Sequence, residues 1–209
     1  MHVPSKPVGL SAAQLTESPL RDFEALIRSH APIIAVESNE EPQVVRMVRQ
    51  IAQKLQLKPF RWSATEGLQA FDPADQPKES VQKSLEVLNY VKNSAHSCLF
   101  VLLDFHPFLE DTLHVRSLKD IALSYEKHYS TVVMVGYLVR VPEELRPFTS
   151  YFKLPLPSAG ELRQIVHEVA AEWGAANGNR DVQTTNKTLD LLVRNLAGLT
   201  ATDARRLAL

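Results

Sequence analysis

Residues Cys98–His106, CLFVLLDFH, open with six consecutive apolar side chains and continue into an aspartate. Because every position from Cys98 to Leu103 is apolar, both faces of this segment are expected to be covered, as in the central strand of a parallel sheet. At six residues it is far shorter than the roughly 20 residues of a membrane-spanning helix. The segment therefore predicts a buried β-strand with Asp104 at its carboxyl end.

Strand and helix patterns alternate on both sides of this segment. Apolar residues at helical spacing separate the predicted strands. Further strands are predicted at Ile33–Val36, Pro59–Ser63, Thr131–Val135 and Phe152–Leu156. The alternation predicts a three-layer α/β domain with a parallel sheet and right-handed crossovers.

The two ends of the chain have a different character. Residues 1–19 contain prolines and hydroxyl side chains without periodicity, which predicts a flexible lead-in. Ser158 and Glu161 form a capping box for the first of several helices. Residues 20–157 are therefore predicted as the α/β domain, and residues 158–209 as a helical region. The last helical pattern is cut off at the end, so we expect the natural polypeptide to continue.

Composition and charge exclude several classes of function. The 209 residues are 44% hydrophobic and 22% charged, as in an ordinary globular protein. The net charge of −1 gives no general attraction to nucleic acid or to an anionic membrane, so nucleic-acid binding would need a local basic patch. The one cysteine, Cys98, cannot form an internal disulfide or a thiolate metal site alone, which favours the reducing cytoplasm.

The turn after the first predicted strand contains no phosphate-binding motif. Neither GxxxxGK nor GxGxxG occurs in the chain. Ser38, Asn39, Glu40 and Glu41 occupy the turn instead, with Asn39 as the predicted N-cap of the next helix. Carboxylates at the positive end of a helix dipole take the place of a phosphate and repel one. The simpler interpretation is that both glutamates only stabilise the first helical turn.

Asp104, Phe105 and His106 follow the central strand. An aspartate at this position is typical of a carboxylate that supports magnesium at a sheet edge. Phe105, however, can neither accept a proton nor orient a water molecule, so no catalytic residue is predicted. The alternative role for Asp104 is a structural hydrogen bond to the adjoining loop.

A second set of polar residues suggests a metal. His106, Glu110 and His114 are spaced by four, as in a helical zinc site. Pro107 weakens this hypothesis, because a helix that begins there leaves His106 outside it. Exposed side chains that bind no metal are the simpler interpretation, and we expect no metal.

In their order along the chain, these segments resemble an AAA+ ATPase module. They are most similar to the amino-terminal half of the poorly characterised AAA+ proteins of algal chloroplast genomes, cyanobacteria and other bacteria. The resemblance is carried by Pro32–Glu41 (PIIAVESNEE), Arg61–Leu68 (RWSATEGL), Phe100–His106 (FVLLDFH), Val115–Ile121 (VRSLKDI), Val141–Leu145 (VPEEL), Leu154–Ser158 (LPLPS) and Leu196–Ala204 (LAGLTATDA). Each segment is weak alone, but the seven in family order are specific.

The resemblance implies a degenerate first AAA+ domain with a partial helical lid from Ser158 onward. A second domain with a working phosphate loop, for which ATP and magnesium are expected, would follow in the parent protein. Asp104 corresponds to the Walker B aspartate, and Phe105 stands at the position of the catalytic glutamate. Gly136 lies near the strand end that presents a polar sensor in active relatives, and Arg146 is the nearest candidate for an arginine finger.

We therefore expect a catalytically silent, cytoplasmic AAA+ module that serves assembly or regulation of a longer ATPase and binds no cofactor itself. Its expected partners are other AAA+ domains, in the same chain or in a homo-oligomer, and not a membrane. Arg140 and Arg146 are interface candidates, or simply solvated side chains. The alternative is a nucleic-acid-associated scaffold similar to the inactive subunits of clamp loaders. The vestigial nucleotide pocket is expected at Ser38, Asn39, Glu40, Glu41, Asp104, Phe105 and His106.

Overall fold

The structure is a computed structural model that describes residues 12–178 and 185–208. The chain separates into two compact units, Leu20–Leu154 and a second unit that includes the residues from Pro155 onward. Among the described residues, no helix has the length and apolar character needed to cross a membrane.

The Leu20–Leu154 unit is a three-layer α/β domain, which confirms the predicted fold class. The sheet has the spatial order β3-β2-β4-β5-β1-β6, and only the β2–β3 pair is antiparallel. Its strands are β1 (Ile33–Glu37), β2 (Lys58–Ser63), β3 (Gly67–Ala70), β4 (Cys98–Leu103), β5 (Thr131–Gly136) and β6 (Thr149–Lys153). Strands β4 and β5 are buried at every position, as expected of the centre of a parallel sheet.

Helices cover both faces of the sheet. Alternate residues of β4 point to opposite faces, so that Leu99 packs against α1 and α2 while Phe100 packs against α3 and α4. The helices of this part of the chain are α1 (Ala12–Arg28), α2 (Glu41–Leu55), α3 (Ser84–Lys92), α4 (Thr112–Leu123) and α5 (Tyr125–His128). Short 3-10 helices lie at Pro73–Asp75, His106–Glu110 and Glu143–Phe148.

Two predicted boundaries and one strand differ from the structure. Helix α1 begins at Ala12, so the last eight residues of the expected lead-in are helical, and the helix contains Pro19; residues 1–11 lie outside the described part. Strand β6 begins at Thr149, three residues earlier than predicted. Strand β3 is absent from the sequence prediction, because its four residues carry no detectable pattern and depend on the hairpin with β2.

The chain after Leu154 is helical, with α6 (Ala159–Ala176), α7 (Asn186–Leu196) and α8 (Ala201–Leu207). The predicted capping box is present: Ser158 donates its N–H to the Glu161 carboxylate (2.7 Å), and Glu161 donates its N–H to Ser158 Oγ (3.3 Å). The three helices share a small apolar core that includes Leu162, Val193 and Ala204. Residues 179–184, between α6 and α7, lie outside the described part.

Candidate functional site

The carboxyl ends of β1, β4 and β5 meet at one edge of the sheet. Ser38 donates its N–H to the Gly136 carbonyl (3.0 Å), and Asp104 donates its N–H to the Val135 carbonyl (2.8 Å). In parallel α/β sheets, ligands bind outside this edge. The acidic turn after β1 and the segment after β4 therefore lie where a nucleotide would be expected.

Four amide groups at the turn from β1 into α2 donate hydrogen bonds within the protein. The Ser38 N–H is taken by β5, and the Glu40 N–H donates to Ser38 Oγ (2.9 Å). The N–H groups of Gln43 and Val44 both donate to the Glu40 carbonyl (2.9 and 3.0 Å). Pro42 has no N–H to offer. A phosphate-binding turn directs such amides at its ligand, whereas these four amides donate to protein oxygens.

The predicted N-cap role of Asn39 is wrong. Helix α2 begins at Glu41, its N-cap residue is Glu40, and Glu40 forms no side-chain capping hydrogen bond. Asn39 is exposed one position earlier, whereas the Glu40 side chain is buried. Local sequence could not separate these positions, because the start of the helix depends on how Ser38 is held by β5.

Negative charge dominates this edge. Glu41 is partly buried on the first turn of α2; burial raises the pKa of its carboxyl group, and the charge of Asp104 raises this pKa further. Arg61 acts in the opposite direction on the same pKa, but its guanidinium is hydrogen-bonded to Glu66. The cation that lowers the pKa of Glu41 is thus shared with another carboxylate.

Three residues lie close together at this edge of the sheet: Asp104, His106 and Gly136. Asp104 has a φ of 48°, in the left-handed region that most side chains avoid. A Cβ atom added to Gly136 would lie 3.1 Å from His106 Nδ1 and 3.4 Å from Asp104 Oδ1. Among the described residues, His106 Nδ1 is buried and has no hydrogen-bond partner. The lack of a side chain at Gly136 therefore makes room for an imidazole and a carboxylate.

Phe105 lies in the core and not in the pocket. Its side chain is fully buried, and its ring contacts Trp62 edge-on (5.5 Å between centroids) and Phe108 (5.3 Å). The left-handed turn at Asp104 separates an exposed carboxylate from this buried ring. Phe105 belongs to the predicted pocket by sequence position only.

His106, Glu110 and His114 do not form a metal site. In the part of the chain that the structure describes, no group of three or more metal-ligating side chains occurs. The 3-10 helix ends at Glu110 and α4 starts after Asp111, so the spacing of four does not create one helical face. Buried His114 is instead 2.8 Å from Ser84 Oγ through Nε2; its Nδ1 lies 3.1 Å from Asp111 Oδ2 without hydrogen-bond alignment.

Arg140 and Arg146, the interface candidates, are both exposed. Arg146 forms an ion pair with Glu143 (2.8 Å) within the same 3-10 helix. Exposed pairs of this kind contribute little to stability. Both residues are accessible to a partner, and their role at an interface stays a prediction.

Arg61 in β2 and Glu66 in the turn between β2 and β3 were not predicted as site residues. Their ion pair lies near Asp104, at the carboxyl ends of the strands, only because β2 is next to β4 in the sheet. The available signal was Gly67, whose φ of 72° closes the turn and is typical of a tight hairpin.

Comparison with known proteins assigns the chain to a family. The family model described as the SpoVK-like AAA ATPase, N-terminal domain, matches residues 20–154, and the model of the second domain of the same family matches residues 160–208. The chain belongs to the SpoVK-like AAA ATPases. The resemblance predicted from the seven segments is thereby confirmed.

This SpoVK-like chain also matches uncharacterised AAA domain-containing proteins called ycf46. It is 26% identical over 190 residues to the ycf46 protein of Guillardia theta, covering 90% of this chain and 36% of the relative. It is 23% identical over 147 residues to that of Pyropia yezoensis, covering 69% of this chain and 30% of the relative. The chain thus spans about a third of the length of these relatives.

Several solved structures have a similar fold. C. elegans PCH-2 superimposes with a TM-score of 0.62 at 9% identity, over 93% of this chain and 61% of that one. The FIGL-1 AAA domain in complex with ADP gives 0.57 at 15% identity, over 96% and 69%. A Thermotoga maritima RuvB variant gives 0.58 at 14% identity, over 93% and 60%. At these identities the likeness shows the fold alone.

Proposed function

We propose that this SpoVK-like domain is a catalytically silent AAA+ module that serves assembly or regulation of a longer ATPase, whose active domain follows it. One observation carries the proposal: the turn between β1 and α2 is acidic, and the amides of Ser38, Glu40, Gln43 and Val44 donate to oxygens of the protein itself. The module keeps the sheet and helices with which AAA+ domains pack, while ATP and magnesium would bind to the following domain.

Electrostatics argues against a triphosphate at this turn. Two like unit charges about 4 Å apart near a protein surface repel by about 4 kcal/mol. A helix dipole offers an anion only about 0.3–1 kcal/mol in return. Glu41 and Asp104 would both face the phosphates, so repulsion outweighs the dipole.

The residues that usually support ATP hydrolysis also differ at this edge of the sheet. The residue after Asp104 is a phenylalanine that is fully buried, so it cannot orient an attacking water molecule. The Asp104 carboxylate is exposed, but Arg61, the cation that interacts with its neighbour Glu41, is engaged by Glu66. Phosphoryl transfer depends on positioning and on charge stabilisation, and both are weak at this edge.

The test is titration of the chain with a fluorescent ATP analogue and magnesium, together with an assay of phosphate release. We expect no saturable binding at millimolar nucleotide and no release above background. The Glu41→Gln, Asp104→Asn double variant removes both negative charges, and its melting temperature shows whether it still folds. If it binds the ATP analogue, charge repulsion prevents binding to the unaltered chain; if it does not, the lack of available amides does. Tight binding with steady turnover by the unaltered chain would overturn the proposal.

The assembly role is tested by sedimentation velocity over a range of concentrations. We expect reversible self-association that weakens in the Arg140→Ala, Arg146→Ala double variant. The matched control is the Lys78→Ala, Lys127→Ala double variant, which removes two other exposed cations. Equal effects of both double variants would remove the assigned interface. Salt-sensitive binding to a fluorescent DNA duplex would favour the scaffold alternative instead.

A further inference from the structure

A cavity of about 530 Å³ lies at the edge of the sheet opposite the acidic turn, where β5 begins. Its walls include the aromatic residues His30, Tyr125 and Tyr129, the aliphatic residues Leu55 and Leu57, and the hydroxyl of Thr131. This volume lies within the usual range for small-molecule pockets, which is about 300–1,000 Å³. We propose that the cavity binds a neutral, planar aromatic molecule that carries one N–H or O–H donor.

Three rings define the shape of the ligand. The ring centroids of His30, Tyr125 and Tyr129 lie 5.6–6.2 Å from one another, at tilted or edge-on angles. Aromatic pairs are favourable at these distances, beyond the area that they bury. A flat ring that enters between this cluster and the two leucines would gain edge and face contacts that a branched aliphatic molecule could not.

The Tyr125 hydroxyl defines the polar end of the ligand. Tyr125 is 8% exposed, and its hydroxyl contacts Thr131 Oγ1 at 3.4 Å and His30 Nδ1 at 3.5 Å. Hydroxyl hydrogen bonds normally measure about 2.7–2.8 Å, so both contacts are long. Because Thr131 donates its own proton to the Ala31 carbonyl (3.1 Å), the phenol oxygen keeps acceptor capacity for a ligand donor.

Charge in the cavity favours a neutral ligand. Burial raises the pKa of Tyr125, so its hydroxyl is un-ionised at neutral pH. Arg28, at the rim, is paired with Glu24 (2.8 Å), which also binds Lys54. Neither a free anion nor an unshared cation is therefore presented by these groups.

Backbone conformation supports a role for the rings. His30 follows α1 and Tyr129 ends α5, with φ values of 61° and 50°. Glycine or asparagine normally occupies such left-handed positions at helix ends. Both helix ends instead carry a strained aromatic residue, and both of these rings line the same cavity.

The experiment compares indole with 1-methylindole, two probes of similar shape of which only indole has an N–H donor. Binding is measured by calorimetry and by ligand-observed NMR. We expect saturable 1:1 binding of both, with indole about tenfold tighter, as one hydrogen bond allows. No saturable binding of either probe, or equal affinity for both, would overturn the proposal.

Two variants separate the contributions of donor and ring. Tyr125→Phe should abolish the preference for indole while leaving affinity for 1-methylindole within about twofold. Tyr129→Asn keeps a residue that tolerates the left-handed turn and removes the ring, so both probes should bind at least tenfold more weakly to a variant that still unfolds cooperatively. Tyr90→Phe, remote from this cavity, is the control. Retention of the preference in Tyr125→Phe would contradict the assignment.

Discussion

Gly136 leaves room for the His106 ring because it has no side chain: a Cβ atom at position 136 would lie 3.1 Å from His106 Nδ1. Gly136→Ala should therefore destabilise the chain by about 1 kcal/mol through overpacking. In a His106→Ala background the same change should stabilise by about 0.4–1 kcal/mol, because alanine restricts the unfolded chain. Urea denaturation gives the free energy of unfolding of the unaltered chain, the two single variants and the double variant, and these four values give the coupling energy. Additive effects would show that the two residues do not interact.

Glu41 makes stability depend on pH. Its pKa is raised above the ordinary value of 4.5, first by burial and then by Asp104, so the folded state holds this proton more tightly than the unfolded state. The associated stability is present below pH 4.5 and is lost as pH rises through the folded-state pKa. Glu41→Gln should therefore raise the melting temperature at pH 7, and the gain should vanish in acid. The gain should shrink in an Asp104→Asn background; an undiminished gain there would exclude Asp104 as a cause.

A glutamate introduced at position 105 should not produce ATP hydrolysis. Phe105 is fully buried against Trp62 and Phe108, so Phe105→Ala should cost about 3–5 kcal/mol. Phe105→Glu should cost more, because it buries a carboxyl group without a partner. Denaturant unfolding and phosphate release measure both effects, with Phe105→Leu as the milder apolar control. A stable, ATP-hydrolysing Phe105→Glu variant would show that this side chain can reach the pocket.

Cys98 should be inert in the folded protein. Burial raises the pKa of its thiol to about 11, so about 0.1% is thiolate at pH 8. A thiol reagent such as dithionitrobenzoate should label the native chain far more slowly than the same chain in denaturing guanidinium. Stoichiometric labelling at equal rates in both conditions would contradict the buried position.

The central part of the fold is predictable from sequence because burial leaves an unbroken apolar pattern, as in β4 and β5. Edge strands lack that pattern. In β6 only Phe152 is buried, and the strand is positioned by its register with β1, in which Phe152 pairs with Val36. The start of α1 was misplaced because Pro19 is tolerated inside the helix, against its usual effect.

The candidate site is predictable in composition but not in arrangement. The acidic turn and Asp104 are visible in sequence, since each follows a predicted strand. The inward rotation of Phe105 depends on the left-handed conformation at Asp104, and the approach of Arg61 depends on strand order. Neither property has a local sequence signal, so both required the tertiary structure.

The hydrogen bonds that close the turn between β1 and α2 have a consequence for the design of ligands. No single substitution can return all of these amides to a ligand, because they are held by separate acceptors: the β5 carbonyl, the Ser38 hydroxyl and the Glu40 carbonyl. A ligand that relies on main-chain amides at this turn would have to break several of these hydrogen bonds at once. A small molecule directed at this domain would therefore be better aimed at another part of its surface.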